Sequence, residues 1–136
     1  MIKKCSISTS KRCELCDITE RVARVVKELG IGSGTCRIFV PHTTAAVTIN
    51  ENADPSVARD LIEGLERIAP SDGPYTHAEG NSAAHIKSSI IGTDKTLPVE
   101  DGRLLLGTWQ GVFFCEFDGP RQRNFFVGVS PHNSQT

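Results

Sequence analysis

Strand-like runs occupy both ends of this sequence, and helical periodicity occupies only its middle. That segregation limits the fold more than any other feature. Ile18, Val22, Val25, Val26 and Leu29 recur at helical spacing, and Gly30 stops the pattern. Asp17 followed by Glu20 is a loose capping-box start for this helix. Asp54-Pro55 opens a second helix, with an acid at the N-cap and a proline in the first turn. Val57, Ala58, Leu61, Ile62, Leu65 and Ile68 fill one face of it. A short third helix is predicted over Ser82 to Ile91, ending at Gly92. Lys3 to Ser8 and Cys13 to Asp17 read as short strands around the polar turn TSKR. Thr35 to Val40 and Ala45 to Ile49 are strand-like, as are Leu104 to Trp109, Gly111 to Asp118 and Arg123 to Val129. Gly119-Pro120 supplies a turn between the last two. Strands at both ends with helices between them predict an α+β fold.

Length fits one domain over residues 1–136, since domains run to roughly 100–200 residues. It excludes a TIM barrel, which needs about 250. A net charge of −1 argues against a general nucleic-acid binder. The N-terminal stretch has no apolar signal-peptide core, and no run of 18 apolar residues could span a membrane. The chain is therefore expected to be cytoplasmic, with its five thiols reduced. Cys13 and Cys16 form a lone CxxC, half a zinc site at most. Three apart on a strand, they point to opposite faces, and we read them as structural or incidental.

Three polar segments carry the chemistry. Pro41 to Pro55 sets His42, Asn50, Glu51, Asn52 and Asp54 around one apolar strand. His42 shares strand parity with Cys36, Ile38 and Val40. Alone, this segment reads as a strand-capping histidine with turn-forming neighbours. His77 to Lys87 packs two histidines, a glutamate, an asparagine and a lysine into 11 positions. Asn81 and His85, four apart, share a helix face roughly opposite Ile86 and Ile90, which with Ala83 would form the apolar stripe. The helix start could also hold a phosphate. His42, His77 and His85 fit either a three-histidine zinc site with an open position or a set of hydrogen-bonding histidines without metal. In the third segment, Glu116 to Arg123, two acids precede the Gly-Pro turn and two arginines follow it. Arg121 and Arg123 could grip a phosphate or carboxylate there, or form an ordinary charged hairpin tip.

Taken together, PHTTAAVTINENADPSV at 41–57, HAEGNSAAHIKSSIIG at 77–92 and LGTWQGVFFCEFDGPRQR at 106–123 resemble the YjbQ-like family, also known as secondary thiamine-phosphate synthase. The resemblance covers nearly the whole chain. It implies a β-sandwich-like mixed-sheet core with two main helices and one short helix outside, assembled as a homotrimer with a site between subunits. It points to His42, Asn50, Asn52, His77, Glu79, Asn81, His85, Glu116 and Arg121 as the polar positions of the family pattern.

The resemblance also implies an activity: joining a hydroxymethylpyrimidine diphosphate to a thiazole phosphate and expelling pyrophosphate. In that transferase, Arg121, Arg123, Lys87 and the third helix start would bind phosphate, with Asn50, Asn52 and Asn81 as further substrate contacts. Glu79 or Glu116 would hold Mg²⁺, and His77 or His85 would protonate the leaving group. A second reading makes the protein a metal-dependent hydrolase or lyase of a small phosphorylated molecule. There His42, His77 and His85 hold Zn²⁺ and Glu79 is the general base. A third is a small-molecule or metal-binding module without turnover. None of the three calls for an organic cofactor, a nucleic acid or a membrane.

Overall fold

The computed structural model describes residues 1–77 and 79–132. Its element order is β1 (Ile2–Ser8), β2 (Glu14–Asp17), α1 (Thr19–Leu29), β3 (Gly34–Phe39), β4 (Ala45–Glu51), α2 (Pro55–Ile68), α3 (Ser82–Ile91), β5 (Asp94–Glu100), β6 (Arg103–Leu104), β7 (Gln110–Glu116) and β8 (Gln122–Pro131). The strands form two sheets, ordered β1-β8-β3-β5-β6 and β2-β7-β4. All pairings between them are antiparallel. The expected α+β class holds, and its sandwich-like core consists of two antiparallel sheets with three helices outside.

Alternating apolar residues explain the packing. Cys36 and Ile38 on β3, Leu97 and Val99 on β5, and Phe125, Val127 and Val129 on β8 turn the same way from the larger sheet. They meet Ala45, Val47, Val112 and Phe114 of the smaller sheet, with Val22, Val25 and Val26 of α1 completing the core. The smaller sheet has a second covered face. Ala46, Cys115 and Phe117 there pack against Leu65 of α2 and Ala84 of α3. This makes β7 the middle of the molecule, buried on both sides from Gly111 to Glu116.

The helix ends follow the sequence signals except at the start of α1, where Ile18 is the N-cap, the Asp17–Glu20 capping box does not form and Asp17 instead accepts the Thr19 N–H. Gly30 takes φ 68° to close α1, and Asp54 accepts a hydrogen bond from the Ser56 N–H at the start of α2. The apolar stripe expected on α3 is corrected. Ile86 and Ile90 are exposed, and the buried residues are Ala83, Ala84, Lys87 and Ser88. Small side chains let α3 lie close on β4, where the Ser88 hydroxyl donates to the Ala45 carbonyl at 2.5 Å. Lys87 can be buried because its ammonium meets Glu66 of α2 at 2.6 Å.

Two strand expectations also change. β5 is a strand that local pattern hides, because Pro98 interrupts it. The proline sits opposite Thr35 and is itself exposed, while Leu97 and Val99 carry the buried face. The strand expected over Leu104 to Trp109 is only the two-residue β6, after which the chain turns into β7. Cys13 and Cys16 do point to opposite faces. Cys13 packs in the helix-covered layer and Cys16 against the inter-sheet core.

Candidate functional site

Between the β3–β4 connection, the start of α3 and the β7–β8 turn lies a polar cleft of about 500 Å³. Its floor is a buried ion pair. Glu116, at the end of β7, is fully buried and Arg123 of β8 is 4% exposed. The Arg123 Nε donates to Glu116 Oε1 at 2.9 Å, and its Nη2 reaches Glu116 Oε2 and the Thr44 hydroxyl. Thr9 donates to the same carboxylate at 2.7 Å, and the Asp118 N–H at 3.1 Å. Burial alone would raise the pKa of Glu116. Arg123, Thr9 and the Asp118 N–H outweigh it and hold the group below the usual carboxylate range. The turn is tight enough that a Cβ on Gly119 would approach the Lys11 carbonyl oxygen to 2.4 Å.

Asp118 organises the next layer. Its Oδ2 accepts from Arg121 Nη2 at 3.0 Å and from Asn81 Nδ2 at 2.9 Å, and its carbonyl accepts from Arg121 Nε at 2.8 Å. This fixes the Asn81 amide, whose Oδ1 is buried with no hydrogen-bond partner. Arg121 remains half exposed at the cleft with donors to spare. His85, one turn along α3 from Asn81, stands edge-on to His77, with ring centroids 5.4 Å apart and an interplanar angle of 89°. The expected shared face of Asn81 and His85 is therefore the cleft face. Both rings also border a second cavity of about 490 Å³, lined in addition by Tyr75 and Ile86. Glu79 lies 4.0 Å from the His77 ring. His42 lines the opposite wall and accepts the Asn124 N–H at its Nε2, 2.9 Å away. Burial, then the Arg123 charge, lowers the pKa of His42.

The fold thus brings together His42, His77, Glu79, Asn81, His85, Arg121 and Arg123. It does not bring Lys87, which faces α2 and is spent on Glu66. Nor does it bring Asn50 and Asn52 within one chain, since at roughly 3.3 Å per residue β4 carries them about 17 and 23 Å from Ala45. Asn52 instead donates to Asp17 at 3.3 Å and packs across Gly111. Asp17 in turn accepts the Thr19 N–H at 2.9 Å, so this cluster ties α1 to the sheet end. The three-histidine metal site is also corrected. Among the described residues no three His, Cys, Asp or Glu side chains converge to hold an ion. His42 spends Nε2 on the backbone, and Glu116 is sealed against Arg123. Sequence reasoning missed Asp118 and Thr44. Asp118 was visible as the second acid before the Gly-Pro turn, but its role as a clamp needed the geometry. The cysteines stay out of the chemistry: burial pushes Cys16 and Cys115 up to about 12 and Cys36 up to about 11.

Fold and site define a class: a helix-flanked antiparallel two-sheet protein with a donor-rich polar cleft at the sheet ends. Residues 3–132 match the family model described as UPF0047 protein YjbQ-like, and the chain belongs to that family. A UPF0047 protein of Methanocaldococcus jannaschii is 53% identical over 95% of this chain and 94% of its own length. The Bacillus subtilis UPF0047 protein YugU is 50% identical over 93% and 97%. A crystal structure of the family from Clostridium acetobutylicum is 48% identical, covers 94% of this chain and 99% of its own, and superposes with a TM-score of 0.93. One from Sulfolobus solfataricus, described as a YbjQ-like protein of unknown function, is 32% identical with a TM-score of 0.93, over 97% of each chain.

These findings overturn the expected activity. The relatives compared are named only as UPF0047 or YjbQ-like family proteins, and none of those names indicates a thiamine-phosphate synthase, a transferase or a metal-binding protein. The usual synthase fold is a TIM barrel, which two antiparallel sheets cannot supply. Among the described residues, no helix is long and apolar enough to cross a membrane.

Proposed function

We propose that the cleft binds a small molecule through an anionic oxygen group, a phosphate or a carboxylate, and that the His77–His85 pair serves proton transfer to or from it. The observation that carries this reading is the convergence of Arg121, His42 and the paired histidines on one polar cavity. Arg121 faces Asp118 and Arg123 faces Glu116, and with Glu79 also lining the cleft the formal charge there carries no positive excess. Selectivity for an anion therefore comes from directed N–H groups rather than from net charge. Arg121 uses two donor contacts on Asp118 and keeps the rest of its five N–H groups for a ligand. The test is titration of the protein with inorganic phosphate. Arg121→Ala is expected to weaken that binding by about tenfold or more without unfolding the protein, in line with loss of a charge-assisted contact. Equal phosphate affinity in the variant would exclude Arg121 as the anion contact.

The homotrimer implied by the resemblance belongs to the same proposal. Its support is the exposed apolar surface of the larger sheet, where Ile2 is 75% exposed and Phe39 stacks on Phe126 at 6.4 Å. Such an assembly would offer a route for Asn50 of one copy to approach the cleft of another. Light scattering on the full chain decides it: a mass of one chain rather than three ends this part of the reading.

A further inference from the structure

The β3–β8 ladder ends at Phe39↔Phe126. Continued by two places, it would set Pro41 opposite Asn124, but the chain turns away there and β3 supplies no further acceptor. The His42 ring takes that place, its Nε2 accepting the Asn124 N–H at 2.9 Å. A ring nitrogen that accepts an N–H must hold a lone pair, so the proton of the neutral imidazole sits on Nδ1. Nδ1 bonds to no described protein group and is not among the buried orphaned atoms, while the ring itself lines the cleft.

We infer that His42 is a tautomer-locked hydrogen-bond donor: the sheet end claims Nε2, and Nδ1–H is presented to an acceptor oxygen of the ligand. This rests on the reading of the cleft as an anion site for the recognition step, though the tautomer itself does not. It makes His42 a binding residue whose ring orientation is set by the backbone of β8. It also separates His42 from the His77–His85 pair, whose rings have no such backbone bond among the described residues. Arg121 and His42 then offer N–H groups from the β7–β8 turn and the β3–β4 connection, an arrangement suited to two oxygens of one phosphate or carboxylate.

Two measurements test this. Long-range nitrogen–proton spectra of the ¹⁵N-histidine-labelled protein are expected to show His42 protonated at Nδ1 and bare at Nε2. A signal from Nε2–H would overturn the inference. The second measurement uses inorganic phosphate as the probe on two variants. In His42→Gln the side-chain oxygen can replace Nε2 for Asn124, but nothing replaces Nδ1–H. In His42→Asn the amide N–H can replace Nδ1–H, but Asn124 loses its acceptor. His42→Gln is expected to keep its melting temperature and lose phosphate affinity by roughly tenfold. His42→Asn is expected to keep phosphate affinity within roughly threefold and melt lower, as an N–H left unpaired requires. The reverse pattern, or wild-type affinity in His42→Gln, would remove the recognition role. Absence of phosphate binding to the wild-type protein would end the anion reading and this recognition role together, while the nitrogen spectra still decide the tautomer.

Discussion

Lys87 is the residue whose meaning changes most between sequence and structure. It stands in a polar segment among histidines, yet its side chain is 2% exposed and pairs with Glu66, itself 45% exposed. The two ends of this pair are unequal. An ammonium taken out of water is costly without its partner, whereas a half-exposed carboxylate can return to solvent. Glu66→Ala is therefore expected to destabilise the protein by about 3 kcal/mol, and Lys87→Met by much less, since an apolar chain fills the same space. Urea unfolding of both variants checks this, and equal losses would show that the Lys87 environment is wetter than its burial indicates. The Glu116–Arg123 pair differs because both partners are buried and both are further hydrogen-bonded. It holds the cleft floor rigid, and Gly119 permits the close turn above it.

At the scale of elements, end signals decided more than propensity did. α1 ends at Gly30, whose φ of 68° is costly for any residue with a Cβ. Nothing lies within 4 Å of where that Cβ would be, so space is not an issue. Gly30→Ala should thus cost about 1 kcal/mol from backbone conformation alone, read as a lower urea midpoint at unchanged slope. A neutral result would mean that the helix end shifts instead. α3 shows the opposite case. Its two exposed isoleucines mimic a core stripe, and the true buried face is made of alanine, serine and a paired lysine. No periodicity argument finds such a face, because close approach to β4 selects for smallness rather than for hydrophobicity.

Acid stability belongs to the molecule as a whole, because the relevant groups join different elements. The Lys87 hydrogen bond foremost, with the Ser71 N–H, holds Glu66 down to about 2, against 4.5 when unperturbed. Glu116 is held low as well, despite the opposing effect of burial. For both, the unfolded chain binds protons more readily, so their stabilisation is present above pH 4.5 and is lost as pH falls through their lowered folded values, for Glu66 toward about 2. His42 acts in the same direction at higher pH, because burial and Arg123 lower its pKa below the ordinary 6.5. The urea midpoint should therefore decline gently below pH 6.5 and steeply below 4.5. Glu66→Gln should flatten the steep part. A midpoint that rises on acidification would contradict all three assignments.

The sequence by itself determined the three helices, most strands and the family. Helix ends are set by residues a few positions apart, and Gly30, Asp54-Pro55 and Gly92 act whatever surrounds them. The family resemblance also brought His42, the His77–His85 segment and Arg121 forward as one group, whereas the His42 and Arg121 segments read alone fit ordinary strand-end and hairpin-tip chemistry. Tertiary structure decided the rest. β5 became legible only once its neighbours covered Leu97 and Val99 and left Pro98 at the surface. Asn52 and Lys87 looked like ligand contacts and proved to be structural ties, since side-chain chemistry does not state which face a residue takes. Asp118 gained its role from two partners far from it or across a turn, Asn81 and Arg121. The tautomer of His42 depends on where one strand ends beside another, a meeting of residues 82 positions apart that no local pattern encodes.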